Sequence, residues 1–276
     1  VVARLVGVPL TERLGQQVVV DNRPGANGVL GMELASKAAP DGHTFFIGTT
    51  GNLSVNPVLI KNLPFNMERD FTPVMQTSSV PFLIYVHPKV PAKSLDELVA
   101  HIKANPGKVT YGATGTGSPH QLATLLLIQG AGGLPGMTEV QYKGSTPAHP
   151  DLIANRITFM IDPLAAASPH IRSGLLRALA VSTPQRNASF PDVPAAAEVL
   201  PGYDFASWGG VFAPAGTPRA VVQKLNSEIG TALALPDIRK RFADMGLVTR
   251  HSTPEEFGKF LQSEINRWRA LLKKPA

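Results

Sequence analysis

Short apolar runs rich in β-branched residues alternate along the chain with stretches whose apolar positions recur at helical spacing. The segments 17–20, 44–48, 82–86, 109–111, 140–142, 157–161 and 178–181 are predicted strands. Several are apolar throughout, as strands buried on both faces are, and their alternation with helical patterns predicts a largely parallel sheet with crossover helices. Val221, Val222, Leu225 and Ile229 form the apolar face of a helix opened by Thr217-Pro218. Phe257, Phe260, Leu261, Ile265, Trp268 and Leu272 form the apolar face of the last helix, and these aromatics are core. Ser94 with Glu97, and Thr253 with Glu256, have capping-box spacing, with Pro254 suited to a first turn. Pro9 interrupts the first helical pattern and limits it to a shorter helix beyond the proline.

Two proline-punctuated strands, 81–88 and 208–214, bracket a middle block of α/β sequence. If both pass between lobes, the middle block is inserted into a domain made by the two ends of the chain. The predicted division is residues 1–86 and 212–276 for one discontinuous lobe and 87–211 for the other, joined by segments short enough to act as a hinge. A ligand closes such a hinge only if it contacts both lobes at once, because equal contact in both states shifts nothing.

Composition narrows the chemistry. There is no cysteine, which excludes a disulfide framework, thiol catalysis and thiolate metal sites. The longest apolar stretch, 122–128, falls far short of the roughly 18 residues a membrane span needs. The net charge of +6 raises the question of nucleic acid. The densest basic groups, Arg239-Lys240-Arg241 and Lys273-Lys274, lie on solvated helical patterns without an aromatic-rich sheet motif, so nucleic-acid binding is not expected. A basic balance instead suits long-range attraction of anionic solutes.

In open parallel sheets, ligands bind beyond the carboxyl ends of strands, and four segments at such ends carry unusual chemistry. The first contains Thr49, Thr50, Gly51, Asn52 and Asn56, dense in small hydrogen-bonding groups. In the second, Gly115, Thr116, Gly117 and Ser118 lead straight into an apolar helix, so glycines allow close approach and free backbone N–H groups point outward as an anion cradle. The third, with Tyr142, Gly144 and Ser145 before Pro147, repeats that design, and the fourth is Asp162, an acid at a strand end. Charge-assisted hydrogen bonds of about 1.5–3 kcal/mol each hold a carboxylate without any arginine.

Other motifs fail on spacing. Gly25, Gly28 and Gly31 lack the close first pair of a dinucleotide fingerprint, no Walker lysine follows either Gly-rich loop, and neither a zinc-protease His pair nor a G-x-S-x-G elbow is present. Ser118 and His120, two apart at a helix start, do not face each other as a catalytic dyad. His43, His87, His101, His170 and His251 read as surface or satisfied structural residues. No catalytic residue, metal or cofactor is assigned.

The chain resembles the Bug, or TctC-like, receptors of tripartite tricarboxylate transporters over almost its whole length. The likeness rests on the order and spacing of Glu12-Arg13-Leu14-Gly15-Gln16, Asn22-Arg23-Pro24-Gly25-Ala26, Lys37-Ala38-Ala39-Pro40-Asp41-Gly42, Asn62-Leu63-Pro64-Phe65, Asp70-Phe71-Thr72-Pro73-Val74, Tyr142-Lys143-Gly144-Ser145, Phe190-Pro191-Asp192-Val193-Pro194 and Trp208-Gly209 through Thr217-Pro218. The resemblance implies an α/β, two-lobed periplasmic binding protein of type II-like, Venus-flytrap architecture with the ligand in the interlobe cleft. It also implies a secretory origin with a removed signal peptide, a small carboxylate ligand (a dicarboxylate, an amino acid or an aromatic carboxylate), and membrane permease subunits as partners of a monomeric receptor. The segment from Thr49, the Gly115–Ser118 turn, the Tyr142–Ser145 turn and Asp162 match the family's cleft segments. His120-Gln121 and His149-Pro150 depart from the family pattern, and the family's first strand, followed by a Pro-Gly-Gly-type loop, is expected upstream of Val1 beside 44–48. The expected function is an extracytoplasmic solute-binding receptor; a ligand-sensing module for a membrane signalling partner and an enzyme on a similar scaffold are the alternatives.

Overall fold

The computed structural model describes residues 1–25 and 28–272; Ala26 of the Asn22–Ala26 motif and the Lys273-Lys274 pair lie outside them. In chain order the elements are α1 (Val2–Leu14), α2 (Val29–Ser36), β1 (Phe46–Thr49), a π-helical turn (Gly51–Val55), α3 (Asn56–Leu59), α4 (Met67–Asp70) and β2 (Phe71–Val86). There follow α5 (Leu95–Ala104), β3 (Thr110–Ala113), α6 (Pro119–Gly130), β4 (Thr138–Gln141), α7 (His149–Ile153), β5 (Phe159–Pro163), α8 (Leu164–Arg172) and β6 (Arg177–Val181). The last are β7 (Ala206–Pro214), α9 (Arg219–Ala234), α10 (Pro236–Asp244), β8 (Val248–Thr249) and α11 (Pro254–Leu272). The chain folds into two compact units, Val1–Ser79 with Trp208–Ala276, and Val80–Ser207.

In the first unit β1 pairs antiparallel with β7, from Phe46 opposite Phe212 to Thr49 opposite Gly209, and β8 pairs antiparallel with Ser78 and Ser79 of β2. One core cluster joins Val6 and Leu10 of α1 to Val222, Leu225 and Ile229 of α9. A second gathers Trp208 and Phe212 of β7 with Phe257, Leu261 and Ile265 of α11. A Cβ at Gly210 would stand 2.1 Å from Phe257 Cζ, so this strand position takes only glycine. The predicted apolar face of the last helix is buried at Phe257, Leu261, Ile265 and Trp268. The predicted capping box closes at Thr253, which exchanges both bonds with Glu256, whereas at Ser94 only the cap bond from Glu97 N–H forms and Glu97 Oε2 accepts from Lys93 N–H instead of Ser94 N–H.

Two local expectations are corrected here. Helix α1 runs through Pro9 rather than starting after it; Val6, Gly7, Pro9 and Leu10 are all buried, so packing offsets the hydrogen bond the proline lacks. Residues 17–20 form no strand. Val19 is 77% exposed, and Val18 N–H donates to Thr11 Oγ1 rather than to a strand, so β propensity alone does not bring the run into a sheet.

In the second unit β3 lies between two parallel neighbours, β4 with Thr110 opposite Thr138 and β5 with Tyr111 opposite Phe159, connected by α6 and α7 as crossovers. The 82–86 part of β2 pairs antiparallel with both β5 and β6, so the sheet is mixed rather than parallel throughout. Leu83 and Tyr85 of β2 pack with Leu152, Ile157, Met160 and Leu176 in the core. The carboxyl ends of β3, β4 and β5 carry the loops that sequence singled out, and β3's parallel pairing with both neighbours brings those ends to one edge.

Candidate functional site

The candidate residues fall in both units. In the first, Thr49 ends β1 and is exposed, and its N–H donates to Asn52 Oδ1 at 2.8 Å. Asn52 is held closely: a Cβ at Gly28 would meet its Nδ2 at 2.8 Å and one at Gly48 its Oδ1 at 2.7 Å. Gly28, at φ +87°, is glycine for both reasons. Thr50 is fully buried, and its Oγ1 accepts from Trp208 N–H at 2.8 Å while standing 3.4 Å from Trp208 O, so the hydroxyl ties the turn to β7. Gly51 opens the π-helical turn and is buried, as is Asn56 at its far end.

In the second unit Gly115, Thr116, Gly117 and Ser118 join β3 to α6. Gly115 and Gly117 have φ of +112° and +73°, the left-handed region that disfavours a side chain, and a Cβ at Gly115 would meet no atom within 4 Å. Ser118 is the N-cap of α6, its Oγ accepting from Gln121 N–H at 3.3 Å. Gln121 in turn fixes the loop. It accepts from Gly117 N–H at 2.7 Å and donates to Glu139 Oε2 at 2.9 Å, where the Tyr111 hydroxyl also donates at 2.7 Å. Burial, then the bond to Glu139, pushes the Tyr111 hydroxyl well above its usual range.

Tyr142, Gly144 and Ser145 follow β4. The Tyr142 hydroxyl donates to Asp151 Oδ2 at 2.8 Å, and burial followed by that bond pushes it up to about 12. Gly144 has φ +111°, and a Cβ there would meet nothing within 4 Å. Among the described residues, no acceptor faces the N–H groups of Gly144, Ser145 and Thr146.

Asp162, the last acid of β5, is fully buried and collects four donors of this chain. Ser145 Oγ–H and His120 Nε2 bond its Oδ1, the latter at 2.9 Å; His149 Nε2 and the Tyr85 hydroxyl bond Oδ2 at 2.9 and 3.3 Å. His120 Nδ1 meets Thr114 Oγ1 at 2.8 Å, and His149 Nδ1 meets His170 Nε2 at 3.2 Å. Burial alone would raise Asp162, but the bonds from His120, His149 and Ser145 outweigh it and hold the carboxyl below its ordinary value. An ionised carboxylate only accepts, so both imidazoles carry hydrogen on Nε2.

Ser145, His120 and Asp162 are the residue types of a hydrolytic triad in the wrong order. In a triad serine bonds one imidazole nitrogen and aspartate the other. Here Ser145 Oγ, 3.2 Å from His120 Nε2, gives its hydrogen to Asp162, and Asp162 uses the same Nε2. The imidazole therefore does not stand between the serine and the acid, as it does in a triad. Ser118 is N-cap of α6, and the hydroxyl partners of His120 are Ser145 and Thr114.

The structure thus brings Ser145 and Asp162 together and seats three histidines beside them that sequence reading left out of the site. His170, read as a surface or satisfied structural residue, is one of these and has His149 as its partner. The signal for His120 was present: it shares the buried stripe of α6 with Ala123, Thr124 and Leu127 at i+3, i+4 and i+7.

Comparison with known proteins identifies the family. Residues 2–276 match the family model described as the tripartite tricarboxylate transporter family receptor. BugT of Bordetella pertussis is 36% identical over 275 residues, covering 99% of this chain and 84% of that protein. A UPF0065 protein from the tcbD–tcbE intergenic region of a Pseudomonas species is 38% identical over 273 residues, covering 98% and 80%. Among solved structures, an R. palustris protein with adipate superposes with a TM-score of 0.82 at 34% identity, covering 99% of this chain and 91% of that one. MatC from Rhodopseudomonas palustris with bound malate gives 0.79 at 32%, covering 99% and 93%. The fold is the two-lobed α/β fold of periplasmic solute-binding proteins. On its sequence from end to end and on this fold, the chain belongs to the tripartite tricarboxylate transporter receptor family.

Proposed function

We propose that this protein is a periplasmic receptor that captures a small carboxylated solute and delivers it to the membrane permease subunits of a tripartite tricarboxylate-type transporter, without chemical change to the solute. The observation that carries this reading is the likeness, over 99% of the chain, to solved relatives holding adipate and malate. The loops of the second unit supply a physical reason. Amides of Gly144, Ser145 and Thr146 lacking a protein acceptor, at a glycine turn that admits close approach, are hydrogen-bond donors of the kind a carboxylate needs. Thr49 and Asn52 in the first unit, and Gly115 and Thr116 in the second, are the further contact candidates; the expected free amides of Gly117 and Ser118 are instead taken by Gln121 Oε1 and Gly115 O. Thr50, Gly51, Asn56, Tyr142 and Asp162 support the loops from behind, since each is buried or has its polar group taken by the protein. Mass spectrometry of small molecules released by denaturing gently purified protein tests the reading. The expected result is one stoichiometric carboxylate; a non-carboxylate ligand, or product formed from an added carboxylate, overturns it.

A further inference from the structure

The direction of the hydrogen bonds around Asp162 determines what the neighbouring hydroxyls have left to offer. Ser145 Oγ is a donor with one hydrogen, and that hydrogen goes to Asp162 Oδ1. His120 spends its Nε2–H on the same carboxylate, and in that tautomer its Nδ1 takes the hydrogen of Thr114 Oγ1, 2.8 Å away. Two hydroxyls beside one imidazole thus have their hydrogens committed inward and only lone pairs facing away. Both are only partly buried, and both stand just beyond strand ends, Thr114 after β3 and Ser145 on the turn after β4. Behind them lies the negative charge of Asp162, and no Lys or Arg pairs with it among the described residues. Neither hydroxyl can donate to a carboxylate; what they accept is a hydrogen, preferably on a cation.

We propose that the solute carries a hydrogen-bond donor, a hydroxyl or an ammonium group, beside its carboxylate, and that Ser145 and Thr114 select it as acceptors. The inference rests on the carboxylate-receptor reading and deepens it: backbone amides take the carboxylate, and the side-chain oxygens read the substituent next to it. In this role the Ser145 hydroxyl acts on the ligand as an acceptor.

Matched ligands test it. Calorimetry at neutral pH compares propionate with lactate and alanine, succinate with malate and aspartate, and adipate with 2-hydroxyadipate and 2-aminoadipate. Within the set whose length fits, the hydroxy acid is expected to bind about threefold to tenfold more tightly than its parent, and the amino acid by tenfold or more. Ser145→Ala is expected to shrink that gap, Ser145→Thr to restore it, and Thr114→Val to shrink it independently; circular dichroism checks folding, and Thr114→Val decides if Ser145→Ala does not fold. Parents binding as tightly as their substituted partners, or a gap that survives both Ser145→Ala and Thr114→Val, overturns the inference and leaves the receptor reading intact. If no carboxylate of any length binds, both fall.

Discussion

At the scale of single residues, Asp162 dominates the candidate site. A buried carboxylate is tolerated only when its oxygens are occupied, and Tyr85, His120, Ser145 and His149 occupy them. Its folded-state value lies below the ordinary carboxyl value, so the stability it contributes is complete above about pH 3.9 and is lost as pH falls through the folded value. His170 is the second titrating member. Burial, then the adjoining His149, lowers it beneath its usual value, so the unfolded chain binds the proton first and stability starts to decline once pH falls below about 6.5. The melting temperature should therefore drop between about pH 7 and pH 5, and His170→Asn should flatten that slope while leaving the acid-side loss in place. An unchanged slope in the variant would assign the decline to other groups. Asp162 was legible as a strand-end acid, but its partners were not. His120 and His149 read in sequence as isolated departures from a family pattern, and only the meeting of α6, α7 and β5 makes them neighbours.

At the scale of elements, local chemistry was legible wherever it is closed within a few residues. The Thr253–Glu256 capping box needs no tertiary partner and closes fully, and at Ser94 the cap bond from Glu97 N–H forms while Glu97 reaches the neighbouring Lys93 N–H. The strand expected at 82–86 begins earlier, since β2 runs from Phe71 to Val86 through Pro73 and Pro81. Beside its pairing with β7, β2 pairs with β8 at Ser78–Ser79 and with β5 and β6 from Phe82 onward, so Pro81 falls between these stretches. The failure at residues 17–20 runs the other way: propensity favoured a strand, but Val18 N–H is taken by Thr11 Oγ1 and Val19 stands exposed. Helix α6 links this scale to function, because its first turn holds the glycine loop in place. Ser118→Ala should lower stability by about 1 kcal/mol in denaturant titration, the ordinary cost of losing a cap. A cost near zero would mean that the Gln121 and Glu139 bonds alone secure the turn.

At the scale of the whole molecule, the sequence's many short motifs, each weak alone, identified the family through their order, and the mixed α/β fold follows from the alternation of strand and helix patterns. What alternation does not encode is strand direction: β2 enters the second unit's sheet antiparallel to β5 and β6, a consequence of how two distant chain segments meet. The net charge of +6 is carried without a concentrated basic face in the sequence, which suits weak attraction of small anions over tight binding of a polyanion. The central claim is that this chain recognises a carboxylate. Titration calorimetry of the purified protein with a panel of small carboxylates, each beside its neutral primary amide, tests that claim most directly. The account predicts saturable one-to-one binding of at least one carboxylate at about micromolar affinity or tighter, and loss of that binding in the amide. Equal binding of acid and amide, or no binding by any carboxylate, would contradict it.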